Sequence, residues 1–482
     1  MAEKGSSLLT NLIWKFAERI SAQLVTLIVS LILARLLEPE HYGMVSIVMI
    51  FITIANVFVS DGFGSTLIQK KDADALDFST VLYFNIGFSV VLYLILFLSA
   101  PIIQSFYGPE YELITPVLRV LGLRLILSAI NSVQQAYVSK KMMFRMFFMS
   151  TFLGTVISAI VGIVLAYKGA GVWALVAQYL TNTTVDTVVL NIRLKKKPLL
   201  AFSFQRLRGL FKYGVNILGA SLLVCGYQEL RALIIGKIYT SSDLAYYDRA
   251  KQFPQVFVTN INSSIEAVLF PKMSNEQDDR TRVKETARMS IRFSSYFICP
   301  LMIGLSTVAE PLVRLLLTEK WLACVPLLQL FCILYLVQPI HTANMQAIKA
   351  IGRSDVFAKL EVIKKAIELV SLLLIMRKGV AAIVLNMTIL NILFVFVNAL
   401  PNVKLLNYKF NEQMKDILPN LFKSLVMGAV VYSMNFINLS EIVLLSLQVV
   451  AGVLVYIMLS IVTNSREFSY IIDMLKRRLK KV

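Results

Sequence analysis

The sequence predicts an all-α polytopic membrane protein with about fourteen transmembrane helices, arranged as two pseudo-symmetric six-helix bundles followed by two C-terminal helices. Three observations predict it. First, 57% of the 482 residues are apolar and the mean hydropathy is +0.71, beyond the roughly half-apolar makeup of soluble domains. Second, apolar runs recur along the whole chain. Third, the Lys and Arg residues that give a net charge of +19 fall in short clusters between those runs.

A helix rises about 1.5 Å per residue and the hydrocarbon layer is about 30 Å thick, so each crossing takes roughly 20 mostly apolar residues. Such runs lie near 8–37, 42–67, 78–104, 113–138, 143–167, 171–192, 212–238, 243–270, 288–313, 323–348, 355–376, 380–402, 417–437 and 441–463. The N-terminal segment MAEKGSSLLTNLIWKFAERI lacks a small-residue cleavage site and the apolar run continues to Leu37, too long for the core of a cleaved signal, so it reads as an uncleaved first helix. No separate soluble domain is expected.

With the N-terminus inside, cytoplasmic segments carry roughly 32 Lys and Arg, including Lys70, Lys71, Lys140, Lys141, Lys195 to Lys197, Arg280, Arg282, Lys284 and Arg477, while the outer loops carry about 7. This is the positive-inside pattern. Both termini are therefore expected in the cytoplasm of a bacterial inner membrane. The clustering points to anionic lipid headgroups as partners and away from nucleic acid, which would need one continuous basic face.

The first and second helices resemble the seventh and eighth. Lys15 and Phe16 correspond to Lys212 and Tyr213, Tyr42 and Gly43 to Tyr246 and Tyr247, and the exit at Ile68, Gln69 and Lys70 to Phe270, Pro271 and Lys272. Both pairs run the same way, which implies two like-oriented bundles and alternating access. The expected divisions are 1–193 for the first bundle, 194–211 for a cytoplasmic linker and 212–403 for the second bundle. Residues 404–482 hold the last two helices and a basic tail.

The cysteines Cys225, Cys299, Cys324 and Cys332 lie in or beside apolar runs without a CxxC pair, and His41 and His341 are the only histidines. The cysteines read as packing residues, and neither a metal nor a cofactor is assigned.

Five segments in order resemble the polysaccharide exporters of the multidrug, oligosaccharidyl-lipid and polysaccharide flippase superfamily. They are LARLLEPEHYGMVSI after the first helix, GAGVWALVAQ at the sixth, AYYDRAKQFPQVF through AVLFPKMS in the eighth, EKWLACVPLLQLF, and AIKAIGRSDVFAK. The resemblance implies a flippase, not an enzyme. It would move undecaprenyl-diphosphate-linked oligosaccharide units to the periplasmic leaflet for capsule, O-antigen or exopolysaccharide assembly. Polysaccharide polymerase machinery is a further candidate contact.

A sugar diphosphate crossing hydrocarbon needs buried cations, because an unpaired charge there is costly. The candidates are Arg124, Arg249, Arg19, Arg231, Lys251, Arg119 and Lys364, with Lys365 behind them. Arg124 leads, about eleven residues or 16 Å into the fourth run, and the forked guanidinium suits phosphate better than an ammonium does. Local neutralisation is the blander reading, since Glu18, Glu229 and Asp248 sit beside Arg19, Arg231 and Arg249. Asn85, Asn131, Gln134, Gln135 and Gln178, with Asn182, would suit sugar hydroxyls, although hydrogen bonding between helices is the commoner fate of such residues. For a coupling proton or sodium ion the candidates are Asp61, Glu18, Glu229, Asp248 and His341, followed by Glu266, Glu361 and Glu368. The segment from Asp61 to Gly64 reads as a helix break.

A multidrug-type antiporter is the nearest rival and would want carboxylates and aromatics where this chain has cations. A membrane glycan polymerase or ligase would need an aqueous catalytic surface that loops this short do not offer. No GxxxxGK[ST] nucleotide motif is present.

Overall fold

The structure is a computed structural model that describes residues 23, 25–60, 66–68, 70, 72–194, 199–437 and 439–479. It is all-helical where described. In the first half the helices are α1 (Val25–Leu36), α2 (Pro39–Ser60), α3 (Ala75–Tyr107), α4 (Ile114–Leu121), α5 (Arg124–Lys140), α6 (Phe144–Tyr167), α7 (Val172–Arg193) and α8 (Phe204–Ile238). The second half has α9 (Ser241–Asn275), α10 (Arg280–Thr307), α11 (Ala309–Leu317), α12 (Val325–Leu336), α13 (Gln338–Ala350), α14 (Ser354–Ile375), α15 (Val380–Leu406), α16 (Phe410–Ser433), α17 (Glu441–Val462) and α18 (Arg466–Leu479).

Among the described residues, nine helical segments are long and apolar enough to cross a membrane. Helices α7, α8, α9 and α14 coincide with further expected runs but are more polar. The protein is a multi-pass membrane protein, and its exposed surface shows the inversion expected in lipid. Leu98, Ile102, Leu374 and Leu454 face outward, whereas Ser290, Ser294, Asn344, Asn402 and Asn420 are buried.

Several expected boundaries move. The run placed at 113–138 is two helices with a step at Gly122 and Leu123, and that at 323–348 divides at Val337. The seventh helix starts at Phe204 and the ninth at Arg280, each about two turns before the apolar run. Caps explain both starts. Ser203 accepts from the Arg206 amide at 3.4 Å, and Asp279 accepts from the Thr281 and Arg282 amides at 3.0 and 3.1 Å.

The chain divides into two compact units, Met1–Ala245 and Tyr246–Val482. In the first, the fully buried Asp77 carboxylate gathers Lys70 at 2.6 Å and Arg206 at 3.4 Å. Lys140 donates to the carbonyls of Leu67 and Lys70, while the amides of Leu199 and Ser203 donate to Ser79 and Thr80. The three connections that precede α3, follow α5 and precede α8 therefore share one face of this unit. The Asp77 amide donates to the Asp74 carboxylate and holds it below the usual carboxylate range, against desolvation and with help from Arg206. Two glycines are required by geometry. A Cβ at Gly43 would collide with the Ser241 backbone, and Gly171 takes a φ of +55° to open α7 against His41.

In the second unit, α10 packs against α12, α13 and α16 around a core that includes Ile291, Cys299, Ile340 and Ile417. A buried polar ladder joins α10 to α16. Arg288 and Arg292 hold Asp416 at 2.9 and 2.6 Å, Tyr408 donates to the same carboxylate at 2.7 Å, and Asn420 donates to Ser295 at 2.9 Å. Lys423 follows, bonded to Ser465 and lying over the rings of Tyr296 and Tyr456.

Candidate functional site

Some of the sequence-derived candidates gather in two polar centres, one in each unit. In the first unit the step at Gly122 and Leu123 makes Arg124 the first residue of α5, partly buried against α7. Its Nε donates to Thr183 Oγ1 at 3.1 Å, one Nη contacts Met49 Sδ at 3.7 Å, and the guanidinium lies 5.7 Å from the Tyr179 ring centre. No carboxylate pairs with it among the described residues. A cation held by a hydroxyl, a thioether and a ring keeps donors available for an anion.

Two turns along α5, Asn131 donates to Asp186 Oδ2 at 3.0 Å, and Gln135 donates to Asn131 Oδ1 at 2.6 Å and to Asp186 Oδ2 at 3.4 Å. Gln134 is nine-tenths buried with an unpartnered Oε1. Asp186 is not among the acids singled out from the sequence; its signal is an acid within the polar stretch TNTTVDT of the sixth run.

The other first-unit candidates are more local. Arg119 donates to the Phe97 carbonyl at 3.3 Å and stacks on that ring, so α3 holds it. Arg231 bonds to Tyr227 on its own helix, α8, which also carries Glu229. Asn85 donates to the Val59 carbonyl at 3.1 Å, Asn182 to Ser158 at 3.4 Å, and Gln178 packs where Gly162 leaves room. These three make the interhelical contacts weighed above against sugar binding. Glu18, Arg19, Asp61 and Lys195 to Lys197 lie outside the described residues.

In the second unit, Gln338, His341, Gln346 and Lys349 of α13, Glu361, Lys364, Lys365 and Glu368 of α14, Glu266 of α9, and Asn391 and Asn398 of α15 line a polar cavity of about 390 Å³. Lys364 is buried and pairs with Glu361 at 2.5 Å, and Lys365 pairs with Glu368 at 3.1 Å. His341 Nε2 faces the Asn391 carbonyl at 3.0 Å and so carries the proton, while Nδ1 accepts from Asn398 Nδ2 at 2.7 Å. Arg249 is buried elsewhere in this unit, bonded to Gln252 at 3.1 Å and 5.4 Å from the Trp321 ring centre, with Asp248 and Lys251 on the same helix. Lys349, stacked on Phe357, also escaped the sequence reading.

Residues 32–326 match the family described as "Polysaccharide biosynthesis protein", which is more than half of the chain. The chain belongs to that family. Among curated relatives it is 26% identical over 303 residues to the teichuronic acid biosynthesis protein TuaB of Bacillus subtilis, with 62% of each chain covered. It is 24% identical to the succinoglycan biosynthesis transport protein ExoT of Rhizobium meliloti, over 63% of this chain and 61% of that one. The lipopolysaccharide biosynthesis protein WzxC of Escherichia coli is 23% identical over 69% of this chain and 68% of its own. The chain thus spans about three fifths of the length of the first two relatives. In fold it is similar to the lipid II flippase MurJ in an inward closed conformation, with a TM-score of 0.76 at 16% identity over 94% of this chain and 98% of that one. An inward-facing multidrug transporter of the multidrug/oligosaccharidyl-lipid/polysaccharide superfamily gives 0.59 at 15% identity, over 80% and 95%.

Proposed function

We propose that this family member is a transporter that carries an undecaprenyl-diphosphate-linked oligosaccharide from the cytoplasmic to the periplasmic leaflet of the inner membrane by alternating access, with both termini cytoplasmic. The observation that carries the reading is Arg124: a partly buried guanidinium in a membrane helix, held by neutral groups and left without a carboxylate among the described residues. A charge in that setting is costly unless a ligand supplies the counterion, and a diphosphate supplies it. The family and its polysaccharide-pathway relatives support the substrate class. The shared face of Lys70, Lys140 and Arg206 supports a cytoplasmic side for those connections.

The multidrug reading fares less well, because two of the three carboxylates in the second-unit cavity are already bonded to Lys364 and Lys365. Replacing Arg124 by Ala is expected to abolish surface glycan while the protein stays at normal level in the membrane. Wild-type glycan in that variant would defeat the assignment. Single cysteines at 195 to 197 should react with impermeant reagents only from the cytoplasmic side, and labelling of intact cells would reverse the orientation.

A further inference from the structure

We infer that Asp186 is a binding site for a monovalent cation, a proton or a sodium ion, whose occupancy sets the affinity of the Arg124 centre for its anion. The second half of this inference rests on the diphosphate reading above; the first does not.

Asp186 stands about two turns inside the C-terminal end of α7, and a carboxylate within a membrane bundle persists only if something neutralises it. Asp186 pairs with no cation among the described residues. The donors from Asn131 and Gln135 both fall on Oδ2, and Oδ1 is buried without a partner. Gly154 brings the α6 backbone alongside, since a Cβ there would stand 3.5 Å from the Asp186 Cβ and 3.0 Å from the Asn182 carbonyl. The carboxylate is thus enclosed on two sides, with one oxygen reserved. Gln134, with its own buried and unpartnered carbonyl oxygen, sits on the same turn of α5 as Asn131 and Gln135.

Arg124 and Asp186 use the same pair of helices. Arg124 bonds to Thr183, one turn before Asp186 on α7, and Asn131 lies about 10 Å along α5 from Arg124. Two opposite charges on one wall are left unneutralised by each other, so each is free to take its own counterion. Among the charged groups on the helices packed against α7, Arg124 is the one bonded to it beside the site; Glu40, His41, Arg119, Lys140 and Arg145 stand toward helix ends, as does Arg193 on α7 itself.

The electrostatic consequence has a definite sign. An ionised Asp186 repels an anion approaching Arg124, and a proton or sodium ion on Asp186 removes the repulsion. By linkage, the anion must raise the affinity for the cation by the same factor.

The test uses the purified full chain in lipid nanodiscs. Without any diphosphate, acidification should raise one infrared carboxyl band beyond those of the chain's other carboxyl groups if the cation is a proton, or the unfolding temperature should rise with sodium if it is sodium. Either signal should be absent in Asp186→Asn, whose own unfolding temperature reports on its fold. With undecaprenyl diphosphate as the probe, wild-type affinity should rise about fivefold or more with falling pH or rising sodium. Asp186→Asn should hold the higher affinity under all conditions. A wild type that responds to neither ion, or an Asp186→Asn variant that responds as wild type does, would overturn the inference. If the probe fails to bind while the Asp186-dependent signal survives, the diphosphate reading falls and the cation site stands.

Discussion

Arg124 and the pair Arg288–Arg292 are chemically the same side chains in membrane helices, yet the structure treats them oppositely. Asp416, fully buried, holds Arg288 and Arg292 through several charge-assisted bonds and takes a further one from Tyr408. Arg124 has a hydroxyl, a thioether and a ring. Burying a charge beside its partner is a structural joint, since removing one side strands the other. Burying a charge among neutral groups leaves its counterion to come from outside. For an intramembrane cation, function therefore turns on whether the charge is already neutralised within the fold.

Substitutions should separate the two classes, beginning with the largest effect on stability. Asp416→Ala leaves two guanidiniums and the Tyr408 hydroxyl without their shared acceptor. It should cost about 3 kcal/mol, near the lower end for a broken buried pair because both arginines are partly exposed. Thermal unfolding in detergent checks this, and an unchanged midpoint would dissolve the contrast with Arg124. Gly43→Ala forces a Cβ into the Ser241 backbone, and overpacking of this kind costs about 1–3 kcal/mol. Gly171→Ala puts a Cβ 3.1 Å from the His41 ring on a backbone with φ +55° and ψ −128°, which L-residues rarely adopt, and such strain costs about 1–3 kcal/mol, read as a drop in the same midpoint. Lys365→Ala removes a half-exposed pair with Glu368 and should change stability by less than about 1 kcal/mol. If it instead approached the Asp416 effect, pairing alone would not separate structural from ligand-binding charges.

Much of the fold was legible because the solvent imposes it. Runs of about 20 apolar residues become helices wherever they occur, and the helices fill the expected runs throughout the described residues. Helix ends were less legible. The first turns of α8 and α10 are polar, so hydropathy cannot see them, and they are fixed by the caps at Ser203 and Asp279. The step before Arg124 was also hidden, since Gly122 and Leu123 keep helix-like backbone angles and differ from their neighbours only in hydrogen bonding.

Within the polar centres, residue type was readable and partnership was not. Arg124 was singled out on composition and position. That Arg288 and Arg292 are spent on Asp416 depends on contacts across more than a hundred residues. Asp186 shows the converse: nothing in the sequence sets it apart from the other acids of the runs, and only the fold shows that its neighbours are amides. His341 was named as a titratable residue, and only the fold shows that both of its ring nitrogens are engaged, by Asn391 and Asn398.

Transport in proteoliposomes asks whether the unneutralised guanidinium of Arg124 carries the substrate's charge across the membrane. Lipid-linked oligosaccharide moved to the far leaflet would be scored with a membrane-impermeant reagent, for wild type and for Arg124→Ala reconstituted at equal density. Translocation is expected from the wild type and none above protein-free vesicles from the variant. An Arg124→Ala protein that moves the lipid at the wild-type rate would contradict it.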